Sequence, residues 1–168
     1  MQDAVTGVRY LGTTGRIDPF RTAIMGGSAG GYTVLQTMID FPDVFTVGVC
    51  LFGVANLFTL ATDTHKFEER YLDSLVGPLP EAAEVYKKRS PIFRASEITH
   101  PIAVFQGEID EVVPKNQSDT IVEALRQNGV AVEYHVYEGE GHGWRKSETV
   151  LKFYSSLEQF LKQSLVFG

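Results

Sequence analysis

Cysteine is almost missing from this chain: Cys50 is the only one among 168 residues. A single thiol closes no internal disulfide and cannot supply a zinc site built from several cysteines. It lies in the apolar run Val47-Gly48-Val49-Cys50-Leu51-Phe52, so it is read as a buried, inert core residue. Long hydrophobic runs are missing too. No stretch approaches the roughly 20 apolar residues of a membrane span, and the start, Met1-Gln2-Asp3-Ala4, lacks the basic-then-apolar pattern of a secretory signal. Basic clusters are equally scarce: 15 Lys plus Arg stand against 21 Asp plus Glu, a net charge of -6, with no basic run. These absences lead to the expectation of a cytoplasmic chain with neither a nucleic-acid nor a membrane partner. What is present is a hydrophobic fraction of 43%, ample at this length for the packed core of one domain.

Along the chain, Val5, Val8 and Leu11 recur at three-residue spacing and predict a short amphipathic helix ending near Gly12. Thr22-Ala23-Ile24-Met25 reads as a strand stopped by Gly26-Gly27. Val34, Leu35, Met38 and Ile39 then share one helical face before Phe41-Pro42 ends it. The run from Phe45 to Phe52 is too continuously apolar for a sheet with one wet face and predicts a central strand covered on both sides. Residues 53–99 read as an insertion over the sheet, with helices expected around Phe67 to Leu75 and Glu81 to Arg89. Alternation then resumes. Ile102 to Gln106 predicts a strand, Lys115 to Asn128 a helix capped by Gly129, and Val132, Tyr134 and Val136 a further strand. Residues 148–163 predict a helix with Val150, Phe153, Tyr154, Leu157, Phe160 and Leu161 facing inward. Such alternation argues for an α/β fold with a mostly parallel sheet flanked by helices, in which reactive groups gather at the carboxyl ends of the strands.

Gly26-Gly27-Ser28-Ala29-Gly30-Gly31 holds the pattern G-x-S-x-G where a strand gives way to a helix. Ser28 there would sit on a strained turn that lifts its hydroxyl clear of the sheet. Gly26 and Gly30 would let neighbouring backbone pack against that turn, and the Ala29 N–H would point at an oxyanion above Ser28. A glycine-rich turn without chemistry is the competing reading of the pattern alone. A hydroxyl needs a base, and the four histidines compete for that role. His65 lies among charged residues in the insertion, His100 precedes Pro101 before a strand, and His135 sits inside one. His142 follows a strand, in Glu138-Gly139-Glu140-Gly141-His142-Gly143-Trp144, where glycines permit the bend that swings an imidazole over a strand end. A histidine that merely caps the last helix is the alternative. For the acid, Asp110 follows the strand Ile102 to Gln106, with Glu108 and Glu111 as rivals. Asp110 is preferred because the order Ser, Asp, His after successive strands is the α/β-hydrolase order. Asp40, Asp43, Asp63, Asp73 and Asp119 are read as exposed charge.

These segments resemble the catalytic domain of the prolyl oligopeptidase family, most of all its acylaminoacyl peptidase and dipeptidyl peptidase branches. The matching pieces are Gly26 to Tyr32, Gln106 to Pro114 and Glu140 to Trp144, joined by Ser90-Pro91-Ile92 and Asp18 to Met25. The resemblance implies the carboxyl-terminal half of an α/β-hydrolase fold, so that residues 1–168 form a single partial domain with the insertion at about 53–99. It also implies a serine peptidase with Ser28, Asp110 and His142 as its triad, acting on short or N-blocked peptides through an acyl-enzyme. The alternatives are a carboxylesterase, or a catalytically impaired fragment serving as a binding module. No cofactor and no metal is implied. The family has eight strands and a tyrosine hydroxyl as second oxyanion donor, whereas this chain offers four strand candidates and no match for that tyrosine. The nucleophile strand is therefore expected at an open sheet edge, with the chain a homo-oligomer or associated with a missing amino-terminal portion.

Overall fold

The computed structural model describes residues 1–63 and 71–167. Helix α1 (Gln2–Thr13) leads to strand β1 (Ala23–Gly27), followed by α2 (Ala29–Asp40) and β2 (Val47–Leu51). Three short helices come next: α3 (Leu57–Asp63), α4 (Tyr71–Leu75) and α5 (Ala83–Arg89). A 3₁₀ segment, Pro91–Glu97, precedes β3 (Ile102–Gly107), α6 (Asn116–Gln127), β4 (Val132–Tyr137) and α7 (Ser147–Leu161). The four strands form one parallel sheet in the order β1-β2-β3-β4.

Strand alternation divides the core into two layers. Ile24, Cys50, Ile102 and Val104 face α2, α6 and the 3₁₀ segment, where they meet Val34, Leu35, Ile121 and Leu125. Val47, Val49, Ala103 and Phe105 face α7 and meet Phe153, Leu157 and Phe160. With an apolar layer on each face, β2 and β3 carry near-continuous hydrophobic runs, as a parallel sheet covered on both sides requires. Every strand ends pointing the same way, so the loops after β1, β3 and β4 share one rim of the sheet. Strand β1 is terminal in the sheet and pairs only with β2 among the described residues.

Several expectations change. The second strand begins at Val47 rather than Phe45 and stops at Leu51, because Phe52 turns into the left-handed region at φ 37°. Helices α4 and α5 lie within the two expected in residues 53–99, whereas α3 and the 3₁₀ segment have no counterpart in the sequence reading. The end of the supposed insertion belongs to the main core: Ala95 and Ile98 are buried together with Met38 and Ile121, and Ile92 packs beside them. Their three-residue spacing after Pro91 suits a tight turn, with the apolar side chains aligned on one side. On α7 the inward stripe is Thr149, Phe153, Leu157 and Phe160, while Tyr154, one position round the helix from Phe153, is 62% exposed. Asp40 is exposed as read and pairs with Arg94 at 2.7 Å, whereas Asp119 is half-buried and accepts from Lys115 and from the Tyr134 hydroxyl. Asp63 has its side chain outside the described residues.

Candidate active site

Ser28 stands between β1 and α2 with φ 57° and ψ -121°. A non-glycine residue there costs on the order of 1–3 kcal/mol, so the surroundings must hold it. They do: the Ser28 N–H donates to the Leu51 carbonyl and the Ser28 carbonyl accepts from Tyr32, both at 3.0 Å. A Cβ on Gly26 would lie 2.5 Å from the carbonyl carbon of Gly30, so the strand can approach the helix only without a side chain at that point. The sequence reading gave Gly30 a similar need, but a Cβ there meets nothing within 4 Å. The tight contact on the helix side belongs instead to Gly31, whose Cβ would sit 2.6 Å from the Gly53 Cα. Ala29 is the first residue of α2, so its N–H is among those that a helix leaves without an intrahelical acceptor.

The other half of the site is made by the loops after β3 and β4. They pack closely because Gly107 has no side chain; a Cβ there would run into the Gly141 carbonyl. The Ile109 N–H donates to the Glu140 carbonyl at 3.0 Å, and the Glu108 carboxylate accepts from the Gly139 N–H at 2.9 Å. Between these ties, Asp110 Oδ2 lies 2.8 Å from His142 Nδ1. The Asp110 side chain is wholly buried and its Oδ1 accepts from the Val112 and Val113 N–H groups at 2.9 Å each. Buried charge is tolerated when it is saturated with donors in this way. A carboxylate at Nδ1 fixes the hydrogen there and leaves the Nε2 lone pair free. Of the rival acids, Glu108 is spent on the Gly139 backbone and Glu111 is exposed.

Ser28 and His142 share a floor. The His142 ring lies 4.5 Å from the ring of Phe52, and a Cβ on Gly27 would sit 2.9 Å from Phe52 Cε2. The strained backbone of Phe52 thus puts one ring beneath both the serine turn and the imidazole, although no hydrogen bond joins Ser28 to His142. Such bonds are often loose before a substrate binds. The other histidines lie elsewhere: His135 is inside β4, stacked on Phe105 at 5.0 Å, His100 precedes β3 at the opposite end of the sheet, and His65 lies outside the described residues.

A cavity of about 470 Å³ opens beside Ser28 and Ala29, walled mainly by Val54, Leu57, Leu72 and Val113. Tyr32 closes one side and donates its hydroxyl to the Arg89 carbonyl at 2.9 Å; burial pushes its phenol above the ordinary range. Tyr32 and Val54 therefore line the cavity. Two further residues went unnoticed. Gln106 hydrogen-bonds within the Asp110 loop. Glu140, 2% exposed, accepts from the Arg145 and Lys146 N–H groups at 2.9 Å each. Both lie inside the segments that carried the resemblance, so proximity to Asp110 and His142 was the available signal. Among the described residues no group of three or more His, Cys, Asp or Glu side chains is placed to hold a metal ion, and no helix is long and apolar enough to cross a membrane.

A parallel sheet flanked by helices, with a serine on a strained strand-to-helix turn, defines an α/β-hydrolase fold. The chain belongs to the prolyl oligopeptidase family, whose profile matches residues 1–167. It is 31% identical over 169 residues to dipeptidyl peptidase family member 6 of Caenorhabditis elegans, covering 97% of this chain and 23% of the relative. It is 33% identical over 168 residues to dipeptidyl aminopeptidase BIII of Pseudoxanthomonas mexicana, covering 97% and 24% respectively. Among solved structures, a Mycobacterium tuberculosis puromycin-hydrolyzing peptidase superimposes with a TM-score of 0.92 at 40% identity, over 97% of this chain and 25% of that one. The chain therefore spans about a quarter of the length of the relatives it matches.

Proposed function

We propose that this chain carries the acyl-transfer centre of a serine peptidase acting on short or N-blocked peptides. The observation that carries the reading is the buried Asp110 carboxylate 2.8 Å from His142 Nδ1, on the same sheet rim as a serine held at φ 57°. In this reading Ser28 Oγ attacks the scissile carbonyl carbon while His142 Nε2 takes its proton. The Asp110 carboxylate holds the ring and stabilises the imidazolium, and the Ala29 N–H donates to the oxyanion. Collapse breaks the C–N bond as Nε2 returns the proton to the leaving amine. Water, deprotonated by the same nitrogen, then releases the acyl group and restores Ser28. Relatives named as a dipeptidyl aminopeptidase and a puromycin-hydrolyzing peptidase support amide cleavage. The apolar cavity beside Ser28 supports a substrate with an apolar side chain next to the bond cut. The same groups would also cleave esters, and peptide against ester turnover on matched acyl groups separates a peptidase from a carboxylesterase.

A fluorophosphonate probe tests the chemistry. Ser28 is expected to be labelled, with labelling lost in His142→Ala. A folded sample that takes no label would support a second reading, an interaction module, which the unpaired outer edge of β1 among the described residues favours.

Among the described residues strand β1 is paired on one side only, with Met25 51% and nearby Phe20 83% exposed. Unpaired edges of this kind recruit other strands. The purified 168-residue chain is expected to associate, giving a scattering mass above that of one copy at micromolar concentration; a mass of one copy throughout would refute this.

A further inference from the structure

Gln106 is the residue before the last of β3, and strand parity with Val104 turns its side chain toward α6. It is fully buried. Its Oε1 accepts from the Ser118 hydroxyl of α6 at 2.7 Å. Its Nε2 donates to the Val113 carbonyl at 3.1 Å and the Gly107 carbonyl at 3.2 Å, and reaches Asp110 Oδ2 at 3.4 Å. Two carbonyls and a carboxylate are acceptors only, so the amide nitrogen must face them and the oxygen must face Ser118. The side chain thus ties the start of the Asp110 loop to its far end and to α6, and it touches the carboxylate oxygen that His142 uses.

We infer that Gln106 is a positioning residue, whose amide holds the Asp110 loop and presents Oδ2 to the His142 imidazole. The inference rests on Asp110 and His142 acting as orienter and base. An apolar side chain of the same length would deprive the Val113 and Gly107 carbonyls of this donor, remove one of the two donors on Oδ2 and loosen the loop that aims the carboxylate. A glutamate would be buried against two carbonyls and a carboxylate, which hold its carboxyl protonated, so it keeps one donor where the amide has two. The titratable groups that meet this amide are Asp110 directly and His142 through it.

The test uses Gln106→Met and Gln106→Glu, read by proton NMR of the His142 ring and by fluorophosphonate labelling across pH, with circular dichroism reporting the fold. In Gln106→Met the downfield Nδ1–H signal is expected to be lost to solvent exchange, and labelling at neutral pH to slow by roughly ten- to a hundredfold. In Gln106→Glu, whose protonated carboxyl keeps one donor for the same acceptors, the Nδ1–H signal and the labelling rate are expected to fall between those of the parent and of Gln106→Met. Should Gln106→Met fail to fold, Ser118→Ala, which frees only the far end of the amide, is expected to broaden the same signal. A folded Gln106→Met with an unchanged Nδ1–H signal and unchanged labelling would overturn the inference. A parent chain that is never labelled, but whose ring signal responds to these changes, would leave the positioning role standing and remove the acyl-transfer reading instead.

Discussion

Replacing Asp110 by asparagine is expected to slow acylation of Ser28 by roughly ten-thousandfold, with little change in the thermal midpoint. The size of the effect follows from which way the new amide must face. Oδ1 of Asp110 accepts from two backbone N–H groups, those of Val112 and Val113. Only the carbonyl oxygen of an asparagine can replace it there, so the amide nitrogen is forced toward His142. An NH₂ group facing Nδ1 selects the tautomer with hydrogen on Nε2, the nitrogen that should accept the serine proton. Gln106 Nε2 donates toward Oδ2 and so opposes this orientation, but through one long 3.4 Å contact that the two 2.9 Å backbone bonds to Oδ1 outweigh. The loop keeps its backbone ties, so the fold should persist while the base is lost. Second-order labelling constants for the parent and Asp110→Asn give the ratio directly. A loss below tenfold would mean that the 2.8 Å contact does not set the tautomer, and that the acid belongs elsewhere.

The features legible in the sequence were those set by neighbouring residues. The serine turn is specified within six positions by Gly26 to Gly31, and β3 announces itself because an apolar run bounded by Pro101 and Gly107 has few alternatives. Features that depend on distant partners were not legible. Nothing local distinguishes Gly26 or Gly31, which are pressed by backbone, from Gly30, which is not. Tyr154 fits an apolar helical stripe as well as Phe153 does, and only the position of the sheet decides which of them is covered. The 3₁₀ segment resembled part of an insertion because its partners, Met38 and Ile121, lie far away in the chain. Phe52 looked like the end of a strand, and its use as a floor beneath His142 depends on a left-handed backbone conformation that no residue type announces. Asp110 was chosen over Glu108 from chain order alone; the physical distinction is that Glu108 is held by the Gly139 N–H, while Asp110 faces the imidazole.

Glu140→Gln is expected to destabilise the chain by about 2 kcal/mol at neutral pH, and the difference should vanish in acid. Glu140 lies two residues before His142 and is almost fully buried, yet its carboxyl is held below the ordinary carboxylate range. Burial alone would raise it. The Arg145 and Lys146 N–H groups, the Thr149 hydroxyl and the Lys146 charge together outweigh burial and favour the anion. The two backbone donors lie just before α7, where the helix dipole also favours negative charge. A glutamine can accept one of those bonds through its oxygen, but it turns an NH₂ toward the other donor. Because the folded protein binds this proton more weakly than the unfolded chain does, the stabilisation is complete above the unfolded carboxylate value of about 4.3 and fades as pH falls through the lower folded value. Urea midpoints of the parent and Glu140→Gln should therefore lie apart at pH 7 and converge as pH falls below about 4. A gap that stays constant across that range would show that the side chain acts through shape rather than charge. Because the same two bonds fix the chain leaving His142, the variant should also be labelled more slowly at pH 7. Restoring stability with an osmolyte should not restore the rate, since an osmolyte shifts folding without returning the anion that orders the loop.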